Sequence, residues 1–324
     1  MNDFRLKLSD LTFVGTDLHR PESVLATASG DLFVSDVRGG ITQIRPNGTQ
    51  LLIGGAHLPA RGLFPNGIAL TNDGSFLFAN SGTGGDGGVW RLRRDGQVEP
   101  FLLEVDGVTL PRTNFVWLDE HGRVWVCVST VHKPNFEYSH DRADGFIALV
   151  DQHGARIVGD GIVWTNECRI HPGGDYLYVN ETFASRVSRF RLAPDGKLSG
   201  KETVAELGEG NFADGLTFDV EGGSWITCIV SNRLIRIAAD GSISVIVEDY
   251  EPDHLARAVT ALAERRLTRP LVHENHHRTL GNISSLAFGG PDLRTAYIGS
   301  ILGKSVACFR SPVAGVRPAH WNVR

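Results

Sequence analysis

Cysteine is scarce in this chain, methionine nearly absent, and no apolar run is long. The 324 residues include four cysteines and one methionine. Cys127, Cys168, Cys228 and Cys308 lie forty or more residues apart, each in a strand-like stretch. No pair has metal-ligand spacing, and the pattern is not that of a disulfide framework, so they read as reduced core thiols of a cytoplasmic protein. No window approaches the roughly 18 consecutive apolar residues of a membrane-spanning helix. The first residues carry acids and lack the apolar core of a secretory signal. Basic runs are missing as well. The net charge is −5 and no block of Lys and Arg exceeds three residues. Nucleic acid or an anionic membrane surface would need a cationic stripe, so neither is an expected partner.

What the chain does have is glycine, 38 residues of it. Short apolar runs begin at glycine turns: GDLFVSD, GSFLFAN, GRVWVCV, GDYLYVN and GGSWITC. Their β-branched and aromatic content fits strands. Eight residues before the turn glycine of each run stands one polar residue. Glu22 precedes Gly30, Asn66 precedes Gly74, Asn114 precedes Gly122, Asn166 precedes Gly174 and Asp214 precedes Gly222. A sixth copy, SLAFGGPDLRTAYIGS, places Ser285 eight before Leu293, where the turn has lost its glycine. The intervals are 44, 48, 52, 48 and 71 residues. The shorter ones each fit four strands, the size of a propeller blade. The expected fold is therefore all-β: one six-bladed β-propeller with four-stranded blades, filling residues 1–324. The long interval holds an insertion between blades five and six. Within it EPDHLARAVTALAERRL has the apolar spacing of one amphipathic helix over 252–267. LTFVG, residues 11–15, is placed to close the ring against the last blade.

In a propeller the same position of each repeat falls at one depth around the central channel. That ring reads Glu22, Asn66, Asn114, Asn166, Asp214 and Ser285. Turn chemistry is the plain alternative, since Asn66-Gly67 and Asp214-Gly215 are favoured turn pairs. It does not account for Glu22, which is no turn former. Two carboxylates converging in a low-dielectric channel repel, and one is forced neutral unless a cation sits between them. One divalent metal cation resolves the conflict. Oxygen donors suit calcium first, with zinc, manganese, magnesium or iron as alternatives. Ligands gathered on one hemisphere leave a coordination position open for chemistry.

At these residues the chain resembles the family of senescence marker protein, gluconolactonase and luciferin-regenerating enzyme, six-bladed propellers that are mostly metal-dependent lactonases. The similarity runs from RPESVLA (20–26) to FGGPDLRTAYIGS (288–300). Its telling pieces are PESV, TNECRIHPGGDYLYV, FADGLTFDVEGGSWIT and FGGPDL. The resemblance implies that Glu22, Asn166 and Asp214 bind the metal, with Asn114 beside them as ligand or substrate contact. It also implies a substrate role for Arg112, two residues before that Asn. The chain departs from the sugar-lactonase branch at Phe115, which stands where Asp follows the Asn, and near His132, where that branch has an acid. Phe64, Trp164 and Phe212, just before ring positions, give a rather apolar rim.

The expected activity is hydrolysis of a small-molecule lactone. Asp214 would act as general base or as nucleophile, Arg112 would stabilise developing negative charge and Asn114 would orient the substrate. The polar loop TVHKPNFEYSHDRADG (130–145) would overhang the channel, offering His132, Tyr138 and His140. Rival readings are a non-enzymatic propeller scaffold and a metal-free enzyme of the strictosidine-synthase type. Neither needs the Glu22/Asp214 pair. HENHH (273–277) fits the HExxH zinc-protease pattern, but it follows Pro270 within the insertion and has no catalytic domain around it. It reads as a histidine cluster at the surface or the channel mouth. GSILGKS is one residue short of a phosphate-binding loop, and GTGGDGG (82–88) reads as an inter-strand turn.

Overall fold

The glycine-bounded runs fold as the second strands of antiparallel four-stranded sheets. A computed structural model describes residues 4–82, 87–133, 137–274 and 278–323. The centre of GTGGDGG, together with His276 and His277, lies outside those residues. Five blades follow in chain order. Their innermost strands are Val24–Ala26, Pro65–Leu70, Thr113–Leu118, Thr165–Ile170 and Asn211–Phe218. The sixth blade takes Ile283–Gly289, Thr295–Ser300 and Val306–Arg310, then closes with Thr12–Val14 from the N-terminus. Thr12 pairs with Cys308 and Val14 with Val306, so the N-terminal segment supplies the outer strand of the last blade and ties the two ends of the chain together. First strands of neighbouring blades touch in cyclic order, which makes them the wall of the central channel. All four cysteines are buried free thiols. No helix of the described residues is long and apolar enough to cross a membrane.

The turns after the first strands explain the eight-residue spacing. Gly30, Gly74, Gly122, Gly174 and Gly222 adopt φ of 84°, 80°, 73°, 83° and 81°. This left-handed conformation is the one that favours glycine. Leu293 takes φ 56° at the sixth copy, so the turn survives there without its glycine.

The ring residues themselves are not in turns. Blades two to six each slip register at the ring position: between Pro65 and Ile68, Thr113 and Phe115, Thr165 and Cys168, Ala213 and Leu216, and Ile283 and Ser285. These are β-bulges, which bend a strand and re-aim a side chain. Gly67 and Gly215 are there for space rather than for turn geometry. A Cβ on Gly67 would lie 2.7 Å from Phe115 Cα, and one on Gly215 would lie 2.6 Å from both Ser284 O and Ser285 Cα.

The insertion folds at the ring end of the channel. Helix Pro252–Ala263 starts at Glu251, whose carboxylate accepts from the Asp253 and His254 amides. It stops four residues short of the expected end because Arg265 takes φ 56°. The Arg265 amide donates to Leu262 O and the Arg266 amide to Ala261 O, a Schellman closure with arginine at the usual glycine position. His254, Ala258, Ala261 and Leu262 are its buried face, packed with Phe212, Ile229 and Val272. A second short helix, Arg269–Val272, follows in the same insertion. At the opposite end, the C-terminal segment crosses the channel. The Val316 amide donates to Phe218 O and the Ala28 amide to Trp321 O.

Because backbone rather than side chain meets the added methyl, Gly215→Ala is expected to destabilise the fold by about 1–3 kcal/mol. A urea denaturation midpoint unchanged from the parent would show that the inner strands are not in this close contact.

Candidate active site at the channel mouth

Bulges aim the Asn66, Asn114, Asn166 and Asp214 side chains into one cavity of about 70 Å³, which Glu22 enters from the first blade without a bulge. Glu22, Asn66, Asn114, Asn166 and Asp214 all line it. Ser285 does not. Its hydroxyl is turned aside to donate to the Glu22 carbonyl, as does that of Ser284. The cavity is roomy enough for an ion with water molecules beside it. A larger hollow of about 330 Å³ lies at the other end of the inner strands, among Trp117, Arg169, His171, Phe218 and His320. The chemistry points to the smaller one, where Glu22 and Asp214 converge.

Above the ring, alternation along the strand brings a second layer from the residues two positions earlier. Arg20, Arg112 and Trp164 belong to it, and all three line the cavity. Arg20 and Trp164 hold φ of 60° and 54°, sparsely populated values for side-chain-bearing residues. Tyr138 from the 130–145 loop meets Trp164 edge-on, with ring centroids 4.8 Å apart, and Phe183 completes the aromatic wall. His132 pairs with Glu137 at 2.9 Å and His140 is exposed; neither lines the cavity.

Arg20 changes the charge picture drawn from the sequence. Its Nη2 lies 2.5 Å from Glu22 Oε2, and its Nη1 donates to Asn66 Oδ1 at 3.0 Å. Glu22 therefore has a counter-charge inside the protein. Asp214 does not: among the described residues, no salt bridge reaches it. Burial, and next the Glu22 and Glu167 carboxylates, push Asp214 well above the ordinary carboxylate range, against the pull of Asn166 and Arg20. Glu167 is pushed up to about 7, chiefly by burial, with Arg169 opposing.

The main chain of Asp214 is fixed from three sides. Asn180 Nδ2 donates to both Asp214 O and Gly215 O at 3.0 Å. The Gly215 amide donates to Thr227 Oγ1 at 2.8 Å, and the Leu216 amide to Glu167 Oε2 at 3.1 Å. These side chains satisfy the backbone groups that the bulge removes from the ladder.

The donor set fits a hard cation. Asn166 Nδ2 is held by Thr182 Oγ1 at 3.1 Å, leaving Asn166 Oδ1 buried with no hydrogen-bond partner. Glu22 Oε2 also lacks a directional hydrogen bond despite its ion pair. Among the described residues no three His, Cys, Asp or Glu side chains form a metal-holding cluster. A cation here would have to take amide oxygens together with the two carboxylates, a hard-ion set. Asn114 is held differently, its Nδ2 donating to Ser129 Oγ at 3.1 Å while its carbonyl accepts from Asn66 Nδ2.

The first two residues of the HExxH pattern, His273 and Glu274, are not on a helix. Helix Arg269–Val272 ends where the motif begins, with His273 as its C-cap. Glu274 forms a bidentate pair with Arg257, at 3.2 and 2.5 Å. His273 instead lines the ring cavity, where burial and then Arg20, Arg269 and Arg112 push it down to about 3. It is a neutral imidazole at the channel mouth.

Comparison with known proteins decides the lineage. Residues 20–249 match the SMP-30/gluconolactonase/LRE-like region. The chain belongs to this family. A curated relative, 6-deoxy-6-sulfogluconolactonase of Pseudomonas putida, is 27% identical over 217 residues, 66% of this chain and 62% of that enzyme's length. The match therefore spans less than two thirds of the relative. A gluconolactonase structure from Xanthomonas campestris superposes with a TM-score of 0.67 at 17% identity, covering 94% of this chain and 91% of that one. Regucalcin, a calcium-binding protein of Agrobacterium tumefaciens, gives 0.67 at 17%, covering 96% and 98%. At such identities the structural likeness supports the fold.

Sequence reasoning missed Arg20, Asn180 and Arg269. Arg20 stands two before Glu22 as Arg112 stands two before Asn114, so the register already used would have found it. Arg269 had no signal, because only the fold of the insertion brings it to the cavity.

If the histidine motif is no metal site, His273→Ala retains the metal stoichiometry of the parent by elemental analysis. Loss of one equivalent would reinstate the zinc-protease reading.

Proposed function

We propose that this protein opens a lactone ring at the Glu22–Asn166–Asp214 end of its channel, with the help of one divalent cation, calcium first. The observation carrying the proposal is the buried Asn166 Oδ1 without a partner beside two carboxylates, one of which, Asp214, lacks a salt bridge among the described residues. Glu22, Asn166 and Asp214 would hold the ion, with Asn114 alongside. When bound, such an ion supplies carbonyl polarisation and a positioned water. Family membership supports the reaction class.

The protein's own groups then have distinct tasks. Asp214 accepts the proton of the attacking water, a role that requires its ionised form. A nearby cation favours that form; crowding by Glu22 and Glu167 opposes it. Asn180 holds the Asp214 backbone and so aims the carboxylate. Arg112 faces the cavity from the layer above and stabilises negative charge on the acyl oxygen. Asn114 orients the ring from the side. Tyr138, Trp164 and Phe183 shield the mouth from water.

The Arg20–Glu22 pair favours one second reading, a metal-free enzyme in which Arg20 supplies the positive charge beside Glu22. Chelation separates the two. The lactonase reading expects rapid hydrolysis of a lactone panel, its loss on chelation and its return with calcium, manganese or zinc. Asp214→Asn should reduce turnover by about a hundredfold or more even at saturating metal. Parent-like rates in Asp214→Asn would remove Asp214 as the base. Full activity in thoroughly chelated protein would favour the metal-free reading.

A further inference from the structure

The cavity wall carries more positive than negative charge. Arg20, Arg112 and Arg269 face Glu22 and Asp214, three guanidinium groups against two carboxylates. Arg20 is engaged with Glu22. His273 adds no charge, since it is held neutral at ordinary pH. The surplus is thus at least one positive charge, and it grows if a divalent cation binds. The guanidinium groups also crowd one another. Burial and the neighbouring Arg269 and Arg20 push Arg112 down to about 10, and burial and Arg20 lower Arg269. What matters is the net charge of the wall, not a vacant donor. A half-buried cationic wall of this kind is costly in the free protein and favours an anion that shares the cavity.

Arg269 comes from outside the stretch that carries the family match. It opens the short helix Arg269–Val272, in the insertion between blades five and six. That lies beyond residues 20–249, which carry the family match. Arg112 immediately precedes the inner strand of the third blade, so the two cations reach the mouth from different parts of the fold.

We propose that the lactone taken by this site carries a second, permanently anionic group remote from its ester, a carboxylate, sulfonate or phosphate, held at the channel mouth by Arg269, while Arg112 stays with the acyl oxygen. The proposal rests on the lactone-hydrolase reading for the ring-opening step. The anion-binding claim stands separately on the charge of the wall. Arg269 is then a specificity residue of the insertion, and the ring below it remains the place of the ester.

The test compares glucono-1,5-lactone with its 6-phosphate, using the whole chain with metal supplied. The parent is expected to prefer the phosphorylated lactone in kcat/KM by about tenfold or more, the size of one charge-assisted contact, and to lose part of that preference as salt rises. Arg269→Gln should shrink the preference ratio mainly through KM, and Arg269→Lys should restore part of it. Equal kcat/KM for both lactones in the parent would overturn the proposal. So would an undiminished preference in a folded Arg269→Gln. A binding measurement keeps this independent of catalysis: calorimetric titration of the parent with 1,5-anhydroglucitol and with its 6-phosphate, neither of which can be hydrolysed. If no lactone is opened at all, the lactonase reading fails, and the binding ratio still decides the charge claim. Tighter binding of the phosphate by about tenfold supports it, and equal or weaker binding overturns it.

Discussion

Two carboxylates placed together where water is scarce set the terms for everything at this end of the propeller. Glu22 and Asp214 share one small cavity, and Glu167 lies close enough behind to raise the Asp214 carboxyl further. Such crowding is unfavourable unless cations answer it. The protein supplies Arg20 for Glu22 and Arg169 near Glu167, at 3.6 Å. Asp214 is left as the group whose charge depends on what enters the cavity. On the proposed reading a divalent ion among the ring oxygens would answer that charge, and a substrate anion would lie at the arginine layer above.

The geometry that permits this crowding is the repeated bulge. Slipping register at the inner strand frees main-chain groups in every blade from the second to the sixth, and the neighbouring blade answers them. The Ile68 amide donates to Ser23 Oγ, Asn66 Nδ2 to Asn114 O, Ser129 Oγ to Thr165 O, Asn180 Nδ2 to Asp214 O and the Ile283 amide to Asn232 Oδ1. Each bond crosses a blade boundary. The bonds that aim the site are therefore also bonds that hold the ring of blades together, and Asn66 and Ser285 serve the wall more than the chemistry.

Much of this was legible in the sequence, and the part that was not has a physical reason. Period and turn chemistry located six blades because a left-handed residue is needed eight positions after each ring residue; even Leu293 obeys. The ring was readable because a propeller converts sequence register into depth. Asn66-Gly67 and Asp214-Gly215 looked like turn pairs, yet each glycine is there because the next inner strand approaches its Cα. That approach is a tertiary fact with no local signature. The claim that only a metal could answer the two carboxylates overlooked Arg20, since a side chain one layer above can bend down to the ring. The helix at 252–267 ended early because Arg265 adopts a conformation usually given to glycine. The insertion hid most, because a non-repeating segment has no register from which to infer where Arg269 and His273 point.

The most direct test of the metal reading is a crystal structure of the protein grown with manganese, with anomalous scattering used to place the ion. The account predicts one ion per chain, within about 2.6 Å of Glu22, Asn166 Oδ1 and Asp214 oxygens, with Arg20 drawn away from Glu22. A structure at millimolar manganese with no anomalous peak in the ring, and Arg20 still paired with Glu22, would contradict it.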